Sequence, residues 1–203
     1  ANYAAVLGGF RNRATAIYTV VGGGIQNTSS AQYASIGGGS TNKAMAQYST
    51  VAGGYQNRAE QGSAFVGGGD DNKAGATWST IGGGQNNTVV GTTFKVATHG
   101  VVAGGFSNTS SAQYCTIGGG HTNKIDWGAH YSGLLGGHGN TVTGQYSSVL
   151  GGRWNKAGAN YTAVIGGSGS EATGQGSIAI GSNISSSAVD HITLGGGAAS
   201  PNY

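Results

Sequence analysis

The stretch Tyr48-Ser49-Thr50-Val51-Ala52-Gly53-Gly54-Tyr55-Gln56-Asn57-Arg58-Ala59-Glu60-Gln61-Gly62 decides the fold, because its pattern returns every fifteen residues along the chain. With Tyr48 as position 0, equivalent starts fall at Tyr3, Tyr18, Tyr33, Ser63, Trp78, His99, Tyr114, Tyr131, Tyr146, Tyr161, Gly176 and His191. Repetition at a short fixed period is the mark of a solenoid. Two steps are irregular: Trp78 to His99 carries six extra residues and Tyr114 to Tyr131 carries two. Position +3 holds a branched aliphatic in twelve of the thirteen turns, from Val6 to Leu194, and so marks an inward column. Positions +5 and +6 are a Gly pair in nearly every turn, and +9 is Asn in ten, from Asn12 to Asn155. Both types are expected at corners, since Gly supplies positive φ and Asn tolerates the left-handed region. Position +11 is mostly Ala or Ser and forms a second, smaller inward column.

Composition excludes the competing architectures. Glycine supplies 43 of 203 residues, against about 7% in ordinary proteins, while charged residues are only 7% and Pro occurs once. Long amphipathic helices are thereby excluded, and so is collagen, which needs Gly at every third position with abundant Pro. Gly pairs interrupt every run that could approach the roughly 20 apolar residues of a membrane helix, so no membrane insertion of this segment is expected. The regular recurrence of Val, Ile, Tyr and Thr argues for ordered β structure over disorder. The chain opens on Ala, with no basic and apolar leader, so a processed or excised segment is expected. Cys115 is the only cysteine and has no internal partner for a disulfide.

Each turn is therefore expected to run as a strand over +0 to +4, a Gly corner, an Asn corner, a short second strand over about +10 to +13, and a return. The fold class is all-β: a parallel β-solenoid of about thirteen fifteen-residue turns with two short strands each, one repeat domain over residues 1–203 with inserts near 93–98 and 125–130. At about 4.8 Å per turn the rod is roughly 60 Å long. One Val or Ile facing one Ala is a thin core, so stabilisation by association is expected.

At Gly176-Ser177-Ile178-Ala179-Ile180-Gly181, preceded by Ala172-Thr173-Gly174, the sequence resembles the head repeat of YadA-like trimeric autotransporter adhesins, the Hep/Hag repeat, and similar repeats occur in phage tail fibres. The resemblance is specific at 172–181 and looser elsewhere. It implies a left-handed β-roll, three copies of which pack into an adhesive head. Most turns invert the adhesin pattern, placing the aliphatic at +3 and a small or polar residue at +2 and +4. Leu135, Leu150, Ile165 and Ile180 at +4, with Ile178 beside them, make an aliphatic strip over four consecutive turns, and self-association is expected there.

Several columns carry possible chemistry. The Tyr column, in eight turns, could stack on sugar rings, although a structural ladder covering the core edge explains it as well. Six of nine basic residues sit at +10, namely Arg13, Lys43, Arg58, Lys73, Lys124 and Lys156. That ladder could face an anionic polymer, or simply keep the rod soluble and its sheet edges from pairing. The inserts leave the roll on a shared edge two turns apart, so Phe94, Lys95, Trp127 and His130 are a candidate recognition patch. Position +7 is the most variable and is expected to be exposed. His121 and His138 stand there on adjacent turns, with Asp126 and His130 on another edge, but nothing has zinc-like spacing and no metal is expected. No catalytic constellation appears, so neither an enzyme nor a cofactor is expected.

These readings converge on a non-enzymatic extracellular rod, exposed on a cell or virion surface, that works as the head of a homotrimeric adhesin binding surface glycans or matrix proteins. A phage tail-fibre segment and a subunit of an extracellular filament are alternatives. An ice-binding solenoid fits less well, because Thr50, Thr80, Thr116 and Thr193 at +2 are too interrupted to make a flat Thr face. Nucleic acid is disfavoured at a net charge of only +3.

Overall fold

The computed structural model describes residues 3–91 and 98–195. Within them the chain is all-β and its strands pair in parallel across successive coils, making a β-solenoid. Positions +2 and +3 of each turn build a 13-stranded sheet, from Ala5–Val6 to Ile192–Leu194. Positions +10 and +11 build a 12-stranded sheet, from Arg13–Ala14 to Ser185–Ser186. Most strands are two residues long, shorter than the pattern suggested, and the first sheet lengthens to three only at Ala163–Ile165, Ile178–Ile180 and Ile192–Leu194. A third ladder, of single-residue parallel bridges at +7, runs from Phe10↔Ile25 to Arg153↔Ser168.

The direction of each backbone N–H explains how such short strands hold together. Extended residues donate forward: Thr50 to Ala64 O at 2.9 Å, Tyr55 to Gly69 O at 2.8 Å and Arg58 to Asn72 O at 2.8 Å. Positions 0 and +8 have positive φ, as at Tyr48 (60°) and Gln56 (55°), which turns their N–H the other way. They donate backward, Tyr48 to Gln32 O at 3.2 Å and Gln56 to Ser40 O at 3.0 Å. Each coil is thus tied to both neighbours. The Gly at +6 is also required: Gly39 has φ 84°, and a Cβ there would collide with the Gly54 carbonyl oxygen.

The left-handed residues are therefore the aromatic column and +8, and the Asn column does not share that conformation. Asn57 is fully buried. Its Nδ2 donates to Gly53 O at 3.0 Å and Gly69 O at 2.8 Å, while its Oδ1 accepts from Asn72 N at 3.0 Å. The same arrangement recurs at Asn27, Asn42, Asn87 and Asn123. A side-chain amide carries donors and an acceptor in one plane, and so satisfies the corner's carbonyls as a peptide group would. Inward columns also include +1, where small residues such as Thr19, Ala34, Ser49, Cys115 and Ser147 are buried beside the Val/Ile column.

One register reading is corrected. Ala179 pairs with Thr193 and Ala172 with Ser186, a step of fourteen residues. The corner Gly181-Ser182-Asn183 is one residue short, and position 0 of the last turn is Asp190 (φ 52°) in place of His191. Because side chains alternate along a strand, the one-residue shift moves Leu194 from the inner face to the outer, where it is 72% exposed.

Candidate functional site

The inward columns leave four surfaces. On the aromatic edge, position 0 rings stack coil upon coil. Tyr3, Tyr18, Tyr33 and Tyr48 form one run at centroid spacings of 5.2, 5.1 and 5.0 Å. Trp78, His99, Tyr114, Tyr131, Tyr146 and Tyr161 form a second at 4.9, 4.7, 5.1, 5.1 and 5.2 Å. Ser63 interrupts the column and Gly176 ends it. The rings lie nearly parallel, and their faces are largely spent on each other, so hydroxyls and ring edges are what this side offers a ligand.

On the outer face of the second sheet the basic ladder is divided. Lys73 Nζ lies 2.9 Å from Glu60 Oε2, and Arg58 lies 3.6 Å from Asp71 and 3.8 Å from Glu60. Lys124 pairs with Asp126 at 2.6 Å and Lys156 with Glu171 at 4.0 Å. The protein's own carboxylates thus screen the adjacent Arg58 and Lys73. Arg13 and Lys43 form no ion pair among the described residues. They border an open groove of about 600 Å³ lined by +8 and +10 residues, including Arg11, Gln26, Thr28, Thr41, Gln56 and Arg58.

At the Gly corner, Phe106, His121, His138 and Trp154 form a chain of rings. His121 stacks on His138 at 4.7 Å, Phe106 meets His121 edge-on at 5.0 Å, and Arg153 lies 4.4 Å over the Trp154 ring. Trp154, a +8 residue with φ 55°, extends a cluster that the +7 column alone did not reveal. Among the described residues no three His, Cys, Asp or Glu side chains come together to hold a metal.

The insert patch is only partly placed. Phe94 and Lys95 lie outside the described residues. The second insert follows Lys124–Ile125, two strands from Thr88–Val89 in the same sheet. Trp127 is 56% exposed there. His130 is turned to a structural task, its Nδ1 accepting the Gln113 N–H at 3.1 Å. Asn160 does the same for Gln145 two turns later, at 2.9 Å. Nearby Cys115 is buried, its thiol donating to Ala129 O at 3.1 Å, and burial pushes the thiol above its ordinary pKa. It is therefore held protonated and unreactive.

The fourth surface is the outer face of the first sheet. Leu135 is 62% exposed, Leu150 and Ile165 are exposed, and Ile178 and Ile180 are half-buried. Ile165 pairs with Ile180, Ile180 with Leu194, and Ile178 with Ile192. The corrected register therefore lengthens the strip to five turns: Leu135, Leu150, Ile165, Ile180 and Leu194. Sequence reading missed Leu194 and Ile192 because the short corner at Gly181 disguised their phase.

Comparison with known proteins adds one finding. Residues 49–60 match a family model described as Ubiquitous surface protein adhesin repeat. The match spans one strand of the first sheet, the Gly corner, Asn57 and the strand Arg58–Ala59. It falls in the fourth turn, away from residues 172–181 where the Hep/Hag resemblance is sharpest. A search of the curated proteins finds no match. The twelve matched residues support a repeat of the trimeric autotransporter adhesin type, carried here on a parallel β-solenoid.

Proposed function

We propose that this chain is a non-enzymatic adhesive rod displayed outside the cell, working as a homotrimer whose copies meet along the Leu135–Leu194 strip. One observation carries the reading: five consecutive turns present an aliphatic side chain outward from a sheet whose inner face already fills the core. A contiguous exposed apolar patch on a rod with so thin a core marks an association site. The adhesin repeat match at 49–60 supports surface display. Association through the first sheet leaves the second sheet, the Gly corner and the aromatic edge outward, each repeated along every copy. Weak contacts to surface glycans or matrix proteins then gain from high effective concentration, and no deep pocket is needed.

The test is retention on immobilised matrix proteins and glycans of beads carrying the chain, against beads carrying Leu150→Asp/Ile165→Asp. The native chain is expected to hold at least about tenfold better than the double variant. Equal retention by both, or no retention of the native chain on any surface, contradicts the proposal.

A further inference from the structure

The groove at the N-terminal end of the second sheet has the composition of a binding site that the ion-paired remainder of that face lacks. Arg13, Thr28, Lys43 and Arg58 follow one another in direct register on four consecutive strands. The parallel +8 column contributes Arg11, Gln26, Thr41, Gln56 and finally Asp71. Four cations line the groove with one carboxylate, Asp71, and since Asp71 and Glu60 answer Arg58 at 3.6 and 3.8 Å, Arg11, Arg13 and Lys43 carry its uncompensated charge. Arg11 is steadied by the Phe10 ring, 4.9 Å from its guanidinium carbon.

We infer that this groove binds a linear acidic polysaccharide, one bearing carboxylate or sulfate groups, laid along the rod axis. The groove is open and runs across successive coils, which suits a polymer better than a compact anion. Its cations recur along that line, Arg13 and Lys43 standing two coils, or about 10 Å, apart. Beside them Gln26, Thr28 and Gln56 offer the donors and acceptors that sugar hydroxyls need. Nucleic acid is the poorer occupant, because no aromatic ring lines the groove to stack a base. The groove lies on the second sheet, opposite the aliphatic strip, so the inference stands whether or not copies associate through the first.

The experiment measures binding of the full chain to heparin, neutral dextran and single-stranded DNA at about 50 mM salt, where ionic contacts are strong. Heparin is expected to bind and dextran not. Arg13→Gln/Lys43→Gln is expected to weaken heparin binding at least about tenfold, and Lys124→Gln/Lys156→Gln, with equal charge loss, by less than about twofold. On the native chain, heparin is expected to shield Lys43 from acetylation while Lys124 and Lys156 react freely, a readout that needs no variant to fold. No heparin binding, equal weakening by both pairs, unshielded Lys43, or DNA bound as tightly through the same residues would overturn the inference.

Discussion

Asn57 shows how much one side chain does in a coil this narrow. Its amide donates to two Gly carbonyls at the half-buried corner, and its oxygen takes the next coil's N–H away from water. Asn57→Ala would orphan Gly53 O and Asn72 N, while Gly69 O keeps the Tyr55 N–H, and each orphaned group costs about 1–3 kcal/mol when buried without a partner. A loss of about 3–5 kcal/mol is expected in chemical denaturation, far above the cost of an exposed change such as Lys43→Gln. The Asn spacing was legible in the sequence but its role was not. A corner Asn can turn its side chain out and adopt the left-handed region itself. Here the preceding +8 residue takes that conformation, and the Asn side chain points inward. Small residues at +1 were equally hard to read, because Ser and Thr are mostly exposed elsewhere and here they fill the narrow end of the coil.

Between coils, the aromatic column sets two effects of similar size against each other. A non-glycine residue held left-handed costs about 1–2 kcal/mol, and each aromatic stack returns about 0.5–1.5 kcal/mol. Tyr131 has φ 59° and stacks on both Tyr114 and Tyr146, so the two nearly cancel. Tyr131→Ala loses the stacks and keeps the strain, while Tyr131→Gly loses the stacks and sheds the strain. Glycine is therefore expected to cost about 1 kcal/mol less than alanine in thermal unfolding, the reverse of their usual order within a strand. Gly176 at the end of the column follows the same logic. Strand placement itself was readable, since a period of fifteen with a branched aliphatic at +3 admits one phase. That phase failed only in the last turn. There Gly181-Ser182-Asn183 makes the corner with one residue fewer, and Ile184 replaces the buried Asn. The second Gly and the +9 Asn are both absent there, but a substituted corner of full length would look the same, so the sequence does not announce the lost residue.

For the whole molecule, the two sheets have different outer faces and therefore different work. The first carries mostly small or polar residues through its early coils, broken by the exposed Leu7, Val20 and Phe65, and is aliphatic without interruption through its last five. The second is charged, with carboxylates answering the cations everywhere except beside Arg13 and Lys43. The apolar strip was visible at four of its positions, because outward aliphatics on neighbouring coils stand at a fixed spacing. The groove was not, because it depends on which cations Glu60, Asp71, Asp126 and Glu171 reach. The proposed homotrimer depends on the strip as the surface where copies meet. Sedimentation equilibrium of the intact chain, alongside Leu150→Asp/Ile165→Asp, tests that directly. Three times the chain mass for the native protein and the mass of one chain for the double variant are predicted, whereas a native protein that stays at the mass of one chain across the concentration range would contradict it.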